Sequence, residues 1–430
     1  MRLTGVRLAI AVGVLLRLAF ALGYWTGKPL THDEREYLAL ATNLAHGRGF
    51  SSELPGEVPE TPPGPASTLP PQRFGRAPGY PIFLAPLTWL DADLRAGHLP
   101  ADVPTAVQIV QALVGGAAIA LLAGLVGRVA GSRAAVTAAW LAAVFPPLVW
   151  MPAYALSEAL YSLLALACAY ALGGITDGPR AAADRRIAPG PLILAALTAS
   201  AAALTRPAML LFLPIAALLL LRRSPDVRTG LARTIVFVAL TVMAIAPWTA
   251  RNLAVHGRFV LIASEGGVTF WTGNHREAIG EGDLAANPHL KVRNAEFRAR
   301  HAGLSEEALE PLYYREAVGF ITADPWWWLG LEARKFWYTW VPLGPSYRLH
   351  APRYFWTSAL ALLLLLPVAG AGLWRAPRGT RPAALLALAA SSVAVSLVFF
   401  PQERFRLPVL DPTLVACAAL TVARRDDTVV

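Results

Sequence analysis

The sequence predicts an all-α polytopic membrane protein, on three observations. A chain of 430 residues that is 55% hydrophobic and 15% charged, with mean hydropathy +0.47, has too little polar surface for an ordinary soluble protein. Its apolar residues lie in blocks, each close to the ~20 residues a helix needs to cross a bilayer. Its arginines collect between alternate blocks, as the positive-inside bias requires. A cytosolic enzyme is thereby excluded. Cys168 and Cys417 both fall inside apolar blocks, so neither a disulfide framework nor a cysteine metal site has support. Lysine occurs only as Lys28, Lys291 and Lys335, so nearly all of the 38 basic residues are arginine. The net charge of +10 has meaning only by location.

Apolar blocks read against breakers give about ten spans, at roughly 6–24, 105–128, 134–151, 153–173, 190–205, 207–221, 234–249, 354–374, 383–400 and 406–423. The first contains Arg7 and Arg17 with no small-residue cleavage site after it, and reads as a retained helix rather than a signal peptide. With both termini in the cytoplasm, the inner loops collect Arg2, Arg7, Arg128, Arg133, Arg180, Arg185, Arg186, Arg222, Arg223, Arg228, Arg233, Arg375, Arg378, Arg381, Arg424 and Arg425. The opposite short turns hold only Arg206, Arg404 and Arg406. The chain is thus expected to be one integral membrane domain over 1–430, with two long extracytoplasmic segments at 25–104 and 250–352. No fixed-period repeat and no inverted pair of broken helices is visible.

The first outer segment opens with an amphipathic helix read over Thr31 to Leu44, ending near Gly47 and Gly49. Thr31 and Glu34 match a capping box, which by itself accounts for Glu34. Asp33 points about 100° away round that helix, at its positive end, where a carboxylate stays ionised. Residues 51–75 carry seven prolines and read as an irregular loop. Arg76-Ala77-Pro78-Gly79-Tyr80-Pro81 then leads into a short apolar stretch expected to lie at the interface.

In the second outer segment, Val260 through Asn274 reads as strand and turn with close backbone approach at its glycines, and 305–322 reads as a helix. Asp324-Pro325 caps a run to Trp340 with five tryptophans, Arg334 and Lys335, which reads as an interfacial aromatic belt, with a sugar-stacking platform as the alternative.

Asp33 and the arginines of the outer face come from elements far apart in sequence. Positive residues are disfavoured on that side. One reading is an anionic ligand at headgroup level, since guanidinium offers a fork of donors to phosphate. The other is that these charges pair with Glu158, Glu403 and anionic lipid. Arg17, deep in the first span, is a candidate partner for Glu158 if the two helices touch.

The ordered series of Asp33-Glu34 with Tyr37, Gly49-Phe50, Arg76 to Pro81, Arg206-Pro207, Pro247-Trp248 to Asn252, the Gly-Gly and Gly-Asn pairs, and Glu403-Arg404-Phe405-Arg406 resembles the glycosyltransferase 39-like family. That family includes protein O-mannosyltransferases, aminoarabinose transferases and lipid A galacturonosyltransferases. The resemblance runs over nearly the whole chain and implies a GT-C fold. It also implies a polyprenyl-phosphate monosaccharide donor used on the extracytoplasmic face of a bacterial inner membrane. It places Asp33 at the reaction centre as base, with Glu34 beside it. It gives Arg76, Arg251 and Arg404, with Arg206 and Arg406, to the donor phosphate. Tyr37, Tyr80, Glu158, Trp248 and Asn252 are expected to contact the substrates.

The chemistry fits that assignment. Phosphate leaves as a stable anion, so one carboxylate base suffices where glycosidases need two carboxyl groups. Single displacement inverts the anomeric carbon. No cofactor is required, although a divalent metal between Asp33, Glu34 and a phosphate is an alternative arrangement. His32 and His46 lack ligand spacing. The acceptor is a lipid, a cell-wall glycan or a protein hydroxyl, and nucleic acid is not a partner. A transporter or lipid flippase is the rival reading, because about ten spans with intramembrane charge also suit a translocation path.

Overall fold

The structure, a computed structural model, describes residues 2–55, 76–177, 189–282, 284–342, 344–345 and 351–423. The proline-rich loop beyond residue 55 and the arginines at 180, 185, 186, 424 and 425 lie outside the described residues.

Helix α1 (Arg2–Gly23) runs into the first polar segment, which holds α2 (His32–Ala45), α3 (Gly79–Thr88) and α4 (Ala92–Ala96). Next come α5 (Thr105–Val144), α6 (Pro146–Trp150), α7 (Glu158–Thr176), α8 (Pro189–Thr205), α9 (Phe212–Arg223) and α10 (Val227–His256). The second polar segment contributes α11 (Gly266–Asn274), α12 (Pro288–Arg300), α13 (Glu306–Ala323) and α14 (Pro325–Trp340). The chain closes with α15 (Pro352–Arg375), α16 (Ala383–Val398), the single turn α17 (Glu403–Arg406) and α18 (Leu410–Ala419).

Among the described residues, α1, α5, α7, α10 and α15 are long and apolar enough to cross a bilayer, while α8, α16 and Leu410–Val422 are apolar but shorter. Helix lengths alone therefore do not establish ten crossings. Part of the difference lies in α5, where the second and third expected spans form one run. That run reverses at Gly131, whose φ of 80° is open to glycine but strained for other residues. Gly127 and Ala135 close the hairpin: a Cβ on Gly127 would stand 3.1 Å from that of Ala135.

The core is lined by alanine. Ala138, Ala139, Ala142 and Ala143 of α5 pack in one cluster with Ala165, Ala169, Ala195, Ala199 and Ala202 of α7 and α8. Small side chains bring helix axes close, which compensates for the missing hydrophobic drive between helices in lipid. Arg17, only 3% exposed, does not reach Glu158. It donates instead to the carbonyls of Gly13 at 2.9 Å, Ala142 at 3.2 Å and Ala143 at 3.4 Å. The end of α5 leaves the Ala142 and Ala143 carbonyls within its reach, whereas Glu158 is taken by Arg206.

The strand-and-turn reading of 260–274 is corrected: Gly266–Asn274 is helical, and no strand occurs among the described residues. Tertiary packing overrides the local pattern here. A Cβ on Gly267 would come within 2.5 Å of the Glu310 carbonyl, and one on Gly273 within 1.8 Å of the Phe399 carbonyl. The glycines do permit close backbone approach, on a helix face rather than in a turn. Helix α14 exposes Trp326, Leu329, Phe336 and Trp337. Its Lys335, however, is fully buried, donating to Asn274 Oδ1, Glu332 and the Leu397 carbonyl at 3.0, 2.6 and 2.8 Å.

Candidate active site

One end of the bundle gathers the starts of α2, α5 and α7 and the ends of α1 and α8. Gln108 donates to the Trp25 and Ala153 carbonyls at 3.3 and 3.2 Å, and Ala155 N–H donates to Glu34 at 2.9 Å. Gly79 admits the end of α8, since a Cβ there would lie 2.6 Å from Thr205 Oγ1. Its lack of a side chain thereby sets the backbone after Arg76 against the residue before Arg206.

On α2 the capping box forms as the sequence requires: Thr31 Oγ1 accepts from Glu34 N–H, and Thr31 N–H donates to Glu34 Oε2 at 2.8 Å. Because Ala155 N–H takes the other oxygen, Glu34 is a clamp between α2 and the start of α7, only 1% exposed. Burial pushes its carboxyl up, against the bonds from Thr31 and Ala155.

Asp33 faces the other way and is 22% exposed. Its Oδ1 accepts from Arg76 Nη2 at 2.9 Å, and its Oδ2 is paired with Arg404 Nη1, 371 residues along the chain. Burial would raise this carboxyl, but Arg404 and then Arg76 outweigh it and hold it well below the usual carboxylate range. Asp33 is a fixed anion.

Arg76 is the hub. Besides Asp33 it pairs with Glu36, its Nε lies 3.2 Å from Glu265 Oε1, and its guanidinium stands 5.0 Å from the Tyr37 ring centre. Tyr37 meets Tyr80 edge-on at 4.9 Å. Tyr80 itself is fully buried and donates to Gln111 at 3.1 Å, so it supports Tyr37 from beneath.

Sequence reasoning missed two members, Glu36 and Glu265. Glu36 was within reach of it: Asp33, Glu36 and Tyr37 are spaced i, i+3, i+4 and share one helix face. Nothing local marks Glu265, which tertiary structure delivers. Trp248 Nε1 donates to the Ile262 carbonyl at 2.8 Å, Thr249 to Leu261 at 2.7 Å, and Asn252 to Val260 and Ile262 at 3.0 and 3.1 Å. These bonds pin 260–262 along the end of α10 and bring Glu265 to Arg76. Trp248 and Asn252, expected at the substrates, are placed as this brace. Arg251 donates to Asn252 Oδ1 at 3.0 Å and stacks 4.7 Å from Trp248 and 5.6 Å from Phe50.

Of the remaining arginines, Arg206 Nη1 pairs with Glu158 Oε1 at 2.7 Å and donates to Ser157 Oγ at 3.2 Å. Arg406 is 3% exposed, and its Nε is 2.7 Å from Asp411 Oδ1, inside the bundle. Glu403 accepts from Ser358 at 2.5 Å.

Asp33 and Glu34 as arranged here do not make a cation site. Both oxygens of Asp33 face guanidinium groups, and those of Glu34 are held by Thr31 and Ala155. Among the described residues no group of three His, Cys, Asp or Glu side chains has metal-holding geometry.

No protein-family model matches the chain, and no curated protein sequence matches it. Solved structures do. The oligosaccharyltransferase AglB of Archaeoglobus fulgidus in its apo form superposes with TM-score 0.55 at 14% identity, over 98% of this chain and 50% of that one. The same enzyme in complex with an inhibitory peptide and a dolichol-phosphate gives 0.54 at 16% identity, over 98% and 50%. The fold is the GT-C membrane fold. This chain spans about half the length of AglB, and identities this low carry the fold and nothing finer. ArnT from Cupriavidus metallidurans in the apo state covers 97% of this chain and 77% of its own, at 15% identity and a TM-score of 0.38.

Proposed function

We propose that this protein is an inverting glycosyltransferase that moves a monosaccharide from a polyprenyl-phosphate donor to a hydroxyl acceptor on the extracytoplasmic face of a bacterial cytoplasmic membrane. One observation carries it: Asp33 sits between Arg76 and Arg404, brought from three distant parts of the chain to one end of the bundle. The complex of AglB, of the same fold, with a dolichol-phosphate is consistent with a lipid phosphate at such a site.

The cluster explains how a carboxylate this acidic would act as a base. Without donor, both guanidiniums are engaged by Asp33, and Arg76 also by Glu36 and Glu265. A phosphate arriving at headgroup level competes for the same donors. As the arginines turn to the phosphate, Asp33 loses the charges that depress its pKa and becomes a stronger acceptor for the proton of the attacking hydroxyl. The arginines meanwhile stabilise the negative charge that grows on the departing phosphate as the anomeric C–O bond breaks. Activation of the base is thereby tied to donor binding.

The test is membranes containing wild type or Asp33→Asn, supplied with a panel of radiolabelled prenyl phosphosugars. Wild type transfers one label, and Asp33→Asn reduces transfer by roughly 10²–10⁴-fold at equal membrane abundance. Full transfer by Asp33→Asn refutes the base, and transfer from a nucleotide sugar in lipid-depleted preparations refutes the donor.

A further inference from the structure

Two arginines, Arg404 and Arg206, share the ring of Phe405. The guanidinium carbon of Arg206 lies 4.9 Å from the Phe405 ring centre and that of Arg404 lies 5.2 Å from it. Two cations of different origin, one from the junction after α8 and one from α17, therefore share a single ring and are at most about 10 Å apart, the total of those distances.

Each guanidinium is also tethered by the same nitrogen. Arg206 uses Nη1 for Glu158 and Ser157, and Arg404 uses Nη1 for Asp33, while its Nε donates to Gln402 at 3.1 Å. Among the described residues, neither Nη2 has a protein acceptor. Like charges this close repel, and a ring whose π-face attracts cations offsets part of that repulsion.

We propose that Phe405 is a positioning residue that sets the spacing of Arg206 and Arg404, so that their two Nη2 groups form a two-armed seat for the phosphate of the lipid donor. The proposal rests on the lipid-phosphate reading given above and adds a residue and a geometry to it. Before the donor binds, Glu158 and Asp33 each hold one nitrogen of a fork and the Phe405 ring lies near both guanidiniums, which leaves the two Nη2 groups for an anion. A phosphate oxygen on each Nη2 gives charge-assisted bonds; Arg206 keeps its pairing with Glu158, while Arg404 turns from Asp33 to the phosphate. Phe405 also meets Phe400 at 5.7 Å between ring centres, a contact that any apolar side chain of similar bulk retains in part.

The experiment compares the purified full chain with Phe405→Leu, Phe405→Tyr and Arg206→Gln, measuring affinity for undecaprenyl phosphate and for uncharged undecaprenol, and the KM and kcat of transfer. Phe405→Leu is expected to weaken undecaprenyl phosphate binding and raise the donor KM about tenfold, leaving kcat within about threefold and undecaprenol binding unchanged. Phe405→Tyr keeps the ring and stays close to wild type. Arg206→Gln combined with Phe405→Leu is no weaker than Arg206→Gln alone, because the ring then has one cation fewer to place. Unaltered phosphate binding in Phe405→Leu, equal weakening toward undecaprenol, or full additivity in the double variant overturns the role of Phe405. If wild type itself does not distinguish undecaprenyl phosphate from undecaprenol, the lipid-phosphate reading falls with it.

Discussion

Arg404 and Arg406 stand two residues apart on the same helical turn and end in opposite surroundings. The Arg404 side chain is 41% exposed and reaches across the bundle end to Asp33, whereas Arg406 is 3% exposed and closes on Asp411 within the bundle. A separation of about 200° round the helix axis is the cause. Neighbours also part in the first turn of α2, where Asp33 faces the cluster and Glu34 clamps α2 to the start of α7. A charged motif at a membrane surface therefore mixes two kinds of group. Accessible ones can exchange their partner for an anionic ligand. Enclosed ones cannot, because separating them leaves a bare charge in a low-dielectric interior.

The largest effect is expected at the enclosed pair. Arg406→Met leaves Asp411 uncompensated and destabilises the protein by about 3–5 kcal/mol, measured as loss of folded protein in detergent. Arg406→Met with Asp411→Leu recovers most of that stability and regains transfer per folded molecule. A double variant that folds fully yet transfers nothing would move Arg406 from the frame into the phosphate site, where the sequence resemblance puts it.

At the accessible member the loss is chemical instead. Arg404→Gln is expected to lower transfer by roughly 10²–10³-fold with little change in melting temperature, since Asp33 keeps Arg76. Unchanged turnover in that variant would reduce Arg404 to a surface ion pair and leave the contrast with Arg406 without functional content.

Glu34→Ala sharpens the second half of the comparison. It removes the capping box and strands the Ala155 N–H, at about 1–3 kcal/mol, so the melting temperature falls by a few degrees. Turnover assayed below that transition stays within about threefold of wild type. A collapse of turnover comparable to Asp33→Asn would give Glu34 a share in the chemistry.

Most of the helices were legible because their signals are local. Hydropathy marks the spans, Thr31 with Glu34 marks the start of α2, and Asp324-Pro325 marks α14. Asp33, Arg76 and Arg404 were legible as a set because arginine is disfavoured on the face that the charge bias reads as extracytoplasmic, and its presence there asked for a partner. What stayed hidden depends on contacts between distant segments. Glu265 looks like any loop carboxylate until Trp248, Thr249 and Asn252 pin the segment before it. The glycines of 266–273 read as a turn until Glu310 and Phe399 are seen against them. Lys335 reads as a surface anchor until Asn274 and the Leu397 carbonyl enclose it. In each case the backbone pattern was readable and the neighbour was not.

The smallest expected effect is in the pH profile, and it bears most directly on how the accessible cluster differs from the enclosed one. Asp33 has a depressed pKa in the folded protein, so its ion pairs contribute stability above the unfolded value of about 3.9; that contribution is lost as pH falls through the folded value. Throughout pH 5–8 the free protein therefore holds Asp33 ionised, and kcat/KM should show no acid limb from this group. Once donor phosphate draws Arg76 and Arg404 away, burial, the largest influence on this carboxyl, is opposed by less positive charge, and its pKa rises. An acid limb should then appear in kcat at a higher pH than any limb in kcat/KM, because kcat reports the complex and kcat/KM the free enzyme. Coincident limbs would mean that Asp33 keeps both arginines when donor binds, and the exchange of partners that separates Arg404 from Arg406 would not occur.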